Sequence, residues 1–302
     1  MKIYHKIKNS LSDLKEIPFK LERDIQRLLE QNLEQITGLE LVKSEFSVQE
    51  QRIDTLAFDV ESKSFVIIEY KRSHNYSVFD QGVGYLRTLL QYKADFVLEY
   101  NEKLGKSLKK DEVDWSQSKV VFVSPAFNSH QKKAVDFKDL NIELWEIKQF
   151  EGDIITINGL RKSASAPSVK LSVQKENSQL QEITKELKTY TEKDLLNGKP
   201  DETLELYEEI KQAILNLSPE IEIVPQKHYV AFKMGKRNIC DIEIQKKELK
   251  FFINKKYGEL DDPKNLMQDV SKKGHLGNGD YATKITDLKN VEYLMSLVKQ
   301  AV

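Results

Sequence analysis

An apolar run that ends abruptly in charge constrains this chain more than any other feature. Phe65-Val66-Ile67-Ile68 passes directly into Glu69-Tyr70-Lys71. A β-branched run of this kind reads as a mostly buried strand. Upstream, Arg52-Ile53-Asp54-Thr55-Leu56-Ala57-Phe58-Asp59 alternates as a second strand, and polar Glu61-Ser62-Lys63 between them reads as a tight hairpin turn. A turn centred between Glu61 and Ser62 sets Asp54 opposite Glu69, because both are equally far from that centre. Directly opposed residues have Cβ atoms roughly 4.5–5.5 Å apart. Strand alternation then puts Lys71 on the face of Glu69.

Two ionised carboxylates side by side at the end of an apolar hairpin cost free energy unless a cation or proton compensates. Mg²⁺ suits such a pair: it prefers oxygen ligands, keeps several waters and is commonly held by one or two carboxylates. The backbone carbonyl of Tyr70 is a candidate further ligand. Lys71 is placed to orient or deprotonate an attacking water, or to stabilise charge in a transition state. Read alone, the same hairpin is equally a surface feature with ordinary exposed ion pairs.

The flanking segments add to it. Leu21 to Thr37, ended by Gly38, reads as an amphipathic helix with Ile25, Leu29, Leu33 and Ile36 as its apolar stripe. Glu22 lies on that stripe, whereas Glu30 and Glu34 lie off it. Glu22 is therefore either a third carboxylate of the site or a first-turn acid favoured by the helix dipole. Downstream, Ser77 and Asp80 resemble a capping box opening a helix through Gln81, Tyr85, Leu89 and Tyr92. Gln81 and Tyr85 share a face near its start, though Tyr85 also suits a core position. Arg52, Arg72, His74 and Arg87 supply positive charge, and Arg52, Arg72 and Tyr85 are the candidates for substrate contact.

Glu22 on a helix, Asp54 on a strand, Glu69-Tyr70-Lys71 on a strand and Gln81 on the next helix together resemble the PD-(D/E)XK nuclease superfamily. The resemblance covers roughly residues 15 to 155, and Ile53 stands in place of the motif's proline, which many members lack. It implies an α/β fold, a mixed-sheet restriction-endonuclease-like core. It further implies metal binding by Asp54 and Glu69, catalytic assistance by Lys71, and support from Glu22 and Gln81. The rest of this half is compatible: a strand at Lys119–Phe127, a helix at Ser129–Leu140, a strand at Ile142–Ile147 and a hairpin arm at Gly152–Ile157. No Gly-rich phosphate loop is present. Gly82 and Gly84, inside a helix pattern, read as close-packing sites, and Asp95, Glu99, Asp111, Glu112 and Asp114 as a solvated surface. The five histidines show no metal-ligand spacing.

At 302 residues, 39% hydrophobic and 31% charged, the chain is long enough for two cores and too polar for a membrane span. Met1-Lys2-Ile3-Tyr4-His5-Lys6 has no apolar signal region. Cys240 is the single cysteine, so no intrachain disulfide forms and a cytoplasmic location is expected. The net charge of -1 does not advertise a nucleic-acid binder, but lysines and arginines segregated to one face suffice. Composition divides the chain into a nuclease-like domain (1–158), a linker and polar helical connector (159–200), and a small α+β domain (201–302). In the last, a helix at Asp201–Leu217 precedes strands at His228–Met234, Ile239–Ile244 and Leu249–Asn254. A short helix at Leu266–Val270, a Gly-rich loop at Gly274–Ala282 and a closing helix at Val291–Val302 follow. This half resembles a bacterial domain of unknown function sometimes labelled a predicted transport protein, although nothing in it spans a membrane. Its Gly277-Asn278-Gly279-Asp280-Tyr281 loop, with Lys236, Arg237, Lys255 and Lys256, reads as a plain turn or as a contact for nucleic acid or a partner.

The leading expectation is a Mg²⁺- or Mn²⁺-dependent endonuclease acting on DNA, its C-terminal domain recognising substrate or forming a homodimer. The alternatives are a catalytically inactive nucleic-acid-binding or adaptor protein that keeps the nuclease fold, and an interaction module centred on the C-terminal domain.

Overall fold

The polar Val60–Lys63 turn decides how the central strands meet. In a computed structural model, which describes residues 2–72, 77–163, 165–169, 183–235, 237–275 and 277–302, the Asp59 side chain accepts the N–H groups of Glu61 and Ser62 at 3.0 and 3.2 Å. Lys63 adopts φ 51°. Such a side-chain-to-backbone bond lets the chain reverse locally. The hairpin pairs Thr55 with Ile68 through to Asp59 with Ser64, which is the register the sequence predicts for Asp54 and Glu69 one step beyond.

The chain divides into two compact units, Met1–Thr189 and Tyr190–Val302. In the first, the elements are β1 (Tyr4–Ile7), β2 (Ser10–Asp13), β3 (Glu16–Ile17), α1 (Glu22–Gln31), α2 (Leu33–Thr37), β4 (Glu40–Val48), β5 (Gln51–Asp59) and β6 (Ser64–Tyr70). There follow α3 (Val78–Gln91), α4 (Lys93–Leu104), β7 (Lys119–Ser124), α5 (Ser129–Ala134), β8 (Ile142–Phe150) and β9 (Ile154–Gly159). The main sheet runs β3-β8-β7-β6-β5-β4, with β9 on β8. β6, β7 and β8 are parallel and the remaining pairs antiparallel, so the unit is a mixed α/β sheet. All seven residues of β6 are buried because both faces are covered. On one face Leu56, Phe58, Phe65 and Ile67 pack with Leu86 and Leu89 of α3 and Phe96 of α4. On the other, Ala57, Val66 and Ile68 pack with Ile25 and Leu29 of α1.

Several expectations change. The first helix breaks at Asn32, and α4 is a second helix after α3. Glu99, on α4, is not a solvated acid: its side chain is 12% exposed and pairs with Lys43 at 2.9 Å. Gly82 is a close-packing site, since a Cβ there would meet Ile142 Cδ1 at 2.5 Å, whereas around Gly84 the nearest atom would be Gln51 Nε2 at 3.8 Å. The helix at 129 stops at Ala134. The described part of the segment read as a linker packs on the first unit. Val169, Ile183 and Leu187 are buried in its core, Leu160 donates to the Leu144 carbonyl at 2.8 Å, and Val169 donates to Asp139 at 2.6 Å.

The second unit comprises α6 (Glu192–Leu196), α7 (Asp201–Leu215), β10 (Ile221–Pro225), β11 (Val230–Met234), β12 (Arg237–Ile244), β13 (Leu249–Ile253), β14 (Gln268–Asp269), β15 (Tyr281–Ile285) and α8 (Val291–Val298). Its antiparallel sheet, β10-β11-β12-β13-β15-β14, buries Phe232, Ile242 and Phe251 against Tyr207, Ile210 and Ile214 of α7 and Leu294 and Leu297 of α8. The expected helix at Leu266–Val270 is instead the edge strand β14, and β10 and β15 add to the three expected strands. The Gly277–Tyr281 loop is pinned to the sheet. Asn278 donates through its backbone N–H to buried Asp241 at 2.6 Å, and a Cβ at Gly279, φ 80°, would strike the Ile253 carbonyl at 2.1 Å. That geometry supports the turn reading. Lys236 lies outside the described residues, and Arg237 donates to the Val302 carbonyl at 2.8 Å. Among the described residues no helix is long and apolar enough to cross a membrane.

Candidate active site

Strand alternation and the hairpin register bring Asp54, Glu69 and Lys71 together at the C-terminal end of β6, on the face covered by α3. Lys71 donates to Glu69 Oε1 at 2.8 Å, its side chain 12% exposed and that of Glu69 6%. From α3, Gln81 donates to the same oxygen at 2.9 Å, and the Tyr85 hydroxyl lies 2.9 Å from Glu69 Oε2 and 3.1 Å from the Arg52 carbonyl. Gln81 also reaches the Tyr85 hydroxyl at 3.2 Å, so the two helix residues act on Glu69 as a unit. The Ser77 side chain caps this helix by accepting the Asp80 N–H, which fixes the turn from which Gln81 projects.

Asp54 is held differently. Its Oδ2 accepts the Tyr70 N–H at 3.0 Å. The next residue, Lys71, donates its N–H to Val123 on β7, so alternation turns Tyr70 toward β5, where the Asp54 carboxylate takes the bond. Burial, and then the Glu69 carboxylate, push Asp54 up to about 6, against the Tyr70 N–H and Lys71, which pull it down. A carboxylate raised by a second carboxylate marks a surplus of negative charge that a cation relieves. Burial and Glu69 also raise the Tyr85 phenol, which stays protonated.

Glu22 heads α1 and is exposed; its Oε1 accepts the Arg72 N–H at 2.8 Å, and its charge contributes to the rise at Asp54. Arg72 Nη1 donates to the Lys20 carbonyl at 2.6 Å, so its guanidinium ties down the approach to α1. The Arg52 side chain pairs with Glu45. Tyr85, expected at the substrate, is 6% exposed, with its hydroxyl on Glu69. His74 lies outside the described residues. Among the described residues no group of three or more His, Cys, Asp or Glu side chains is arranged to hold a metal.

A second polar layer lies behind the site, on the α1 face. Gln26 donates to the Asp54 carbonyl at 3.0 Å, to Ser44 Oγ at 3.1 Å and to Glu30 at 3.1 Å. Glu30 accepts from Thr55, whose hydroxyl lies 3.1 Å from the Tyr70 hydroxyl. Glu30 therefore faces the sheet, contrary to its expected position off the stripe. Gln26 and Glu30 are one turn apart beside Ile25 and Leu29, a polar pair at buried helical spacing that the sequence already displays.

Residues 192–302 match a family model described as a domain of unknown function, DUF5655. Among solved structures, EndoMS bound to double-stranded DNA is 19% identical, with 45% of this chain and 48% of that chain covered and a TM-score of 0.26. A repair endonuclease from Pyrococcus abyssi is 18% identical, with 44% and 50% covered and a TM-score of 0.25. SfsA of Pyrococcus furiosus in complex with Ca²⁺ is 16% identical, with 45% and 61% covered and a TM-score of 0.24. In each case the match spans less than two thirds of the solved chain. An uncharacterised protein of Haemophilus influenzae is 57% identical over 302 residues, which cover 100% of this chain and 99% of that protein. The chain belongs to the same family as this Haemophilus influenzae protein.

Proposed function

We propose that the first unit is a metal-dependent nuclease of the PD-(D/E)XK type that hydrolyses DNA phosphodiester bonds, and that the second unit recognises substrate or joins two copies. The observation that carries this reading is half-buried Asp54 opposite buried Glu69, with Lys71 2.8 Å from Glu69. The residues fit a Mg²⁺ or Mn²⁺ ion: both side chains offer hard oxygens, and their charge surplus is relieved by a cation that keeps most of its water. Asp54 and Glu69 would hold it, with the Tyr70 carbonyl, which leaves β6 on the same edge as the N–H bonded to Asp54. When bound, such an ion lowers the pKa of a coordinated water and offsets charge on the scissile phosphate.

The chain's own residues supply the rest. Lys71 presents a cation where charge develops on the phosphoryl oxygens and orients the attacking water. Gln81 and Tyr85 fix the rotamer of Glu69, and Gln26 fixes the backbone of Asp54 from behind. Incubation with supercoiled and single-stranded DNA in Mg²⁺ or Mn²⁺ tests the reading. Wild type nicks or linearises DNA and Asp54→Ala does not; equal behaviour of the two overturns it.

One observation favours a second reading, a nucleic-acid-binding protein that keeps the fold without catalysis. Both oxygens of Glu69 already have protein partners in Lys71, Gln81 and Tyr85. That reading predicts DNA affinity that survives Glu69→Ala, with no cleavage in any metal.

A further inference from the structure

The β1–β2 ribbon belongs to neither core. All eight of its strand residues are exposed, including Tyr4 (47%), Ile7 (51%) and Leu11 (67%). It pairs Tyr4 with Asp13 through Ile7 with Ser10, and the Leu14 N–H closes its base on the Ile3 carbonyl at 3.0 Å. An isolated two-stranded ribbon is marginal in water, so one with exposed apolar side chains is built to be covered. Its charge is mainly positive: Lys2, Lys6 and Lys8 stand against one acid, Asp13 at its base. Among the described residues these three lysines pair with no acid.

Topology places this ribbon at the active end of the sheet. Tyr70, Val123 and Trp145 are level with one another across β6, β7 and β8. β8 continues five residues further, to Phe150, and there pairs with Glu16 of β3. Because β9 occupies the other edge of β8 from Trp145 to Phe150, β3 lies on the edge that β7 uses, beyond the end of β7. At about 3.3 Å per residue and 4.8 Å between strands, Glu16, two residues after the ribbon's base at Leu14, is roughly 17 Å beyond Tyr70. That is about five base pairs at 3.4 Å each.

We propose that the β1–β2 ribbon is a duplex-binding arm: it lies in a groove of the DNA engaged at the Asp54–Glu69 site, with Lys6 and Lys8 on phosphates. The proposal rests on the nuclease reading for what the site does. The major groove admits a two-stranded β-ribbon. A second copy of the chain is a poorer occupant, because its own arm carries the same positive charge, whereas phosphates attract it.

The test uses the full chain, a fluorescein-labelled linear duplex and EDTA, so that binding is read without cleavage. Fluorescence anisotropy is measured for wild type, Lys6→Ser/Lys8→Ser and Lys109→Ser/Lys110→Ser over a range of KCl. The last pair makes the same charge change on exposed residues next to the turn that joins β5 to β6, at the opposite end of the sheet, since Asp114 donates to the Lys63 carbonyl at 2.8 Å. The arm variant is expected to bind on the order of tenfold more weakly, and the slope of log affinity against log salt to fall by about 2. The Lys109/Lys110 variant keeps wild-type affinity and slope. Wild-type binding by the arm variant, equal loss in both variants, or no duplex binding by wild type overturns the proposal. So does a change in sedimentation mass of the arm variant, which would make the ribbon a contact between chains. The nuclease reading fails separately, if Asp54→Ala cuts DNA as wild type does.

Discussion

At the scale of single residues, Asp54 carries a cost that the fold tolerates. Its carboxyl is pushed up to about 6 by burial and by Glu69, while the unfolded chain titrates near the ordinary aspartate value of 3.8. Between those two values the folded state holds more protons than the unfolded state, so stability falls as pH rises through the window, and the penalty is complete above it. Asp54→Asn is expected to stabilise the metal-free protein at neutral pH by about 1–2 kcal/mol, the shift being discounted because the group is partly solvated. Melting in EDTA at pH 7.5 and pH 4 checks this: the gain appears at the higher pH and shrinks at the lower. Tyr85→Phe deletes a donor to a buried carboxylate and is expected to cost about 1–3 kcal/mol in thermal or urea unfolding. The site's main residues were legible because two short rules, a turn centre and strand alternation, bring Asp54, Glu69 and Lys71 onto one face. The internal hydrogen bonds of Tyr85 and Arg72 were not. A sequence shows that a phenol or guanidinium is near a site, but not whether an internal carboxylate or carbonyl has already engaged it.

At the scale of elements, α3 connects packing to chemistry. It crosses β7 and β8 closely at Gly82, where a Cβ would meet Ile142 and Phe122, and so sets Gln81 and Tyr85 over Glu69. Gly82→Val is expected to destabilise by about 1–3 kcal/mol through overpacking. Gly84→Ala, whose Cβ would make only an ordinary 3.8 Å contact with Gln51 Nε2 on a helical backbone, is expected to stabilise by up to about 1 kcal/mol. Chemical denaturation of the two variants distinguishes packing from propensity. The same element scale shows where sequence pattern ran out. α3 and α4 follow each other through Tyr92 with no Pro or Gly between them, so the break has no local signal. At 266–270, Leu266 and Val270 stand four apart and mimic one helical turn, yet backbone pairing with Tyr281 and Ala282 makes Gln268–Asp269 a strand. A two-residue edge strand is decided by its partner, which lies a dozen residues away.

For the whole molecule, the two units have separate cores, and the second coincides closely with the matched domain at 192–302. A fragment spanning 190–302 is therefore expected to unfold cooperatively by itself. Cys240 in its core is fully buried and its thiol is raised well above its ordinary value by burial and by Asp241. It is expected to resist a thiol reagent until denaturant unfolds the fragment, which mass-labelling against urea reads directly. Fast labelling in the absence of urea would show that this unit depends on the rest of the chain. The boundary itself was only partly readable. The Ser- and Ala-rich stretch after Leu160 has linker composition, but Val169, Ile183 and Leu187 close the first unit's core and move the division to Thr189.

The proposed nuclease activity requires Asp54 and Glu69 to hold a divalent metal jointly. A crystal grown in Mn²⁺ and measured for anomalous scattering tests it most directly. One anomalous peak is expected between the two carboxylates, about 2 Å from an oxygen of each, and none in Asp54→Asn. An empty position, with Glu69 still bound only by Lys71, Gln81 and Tyr85, would contradict it.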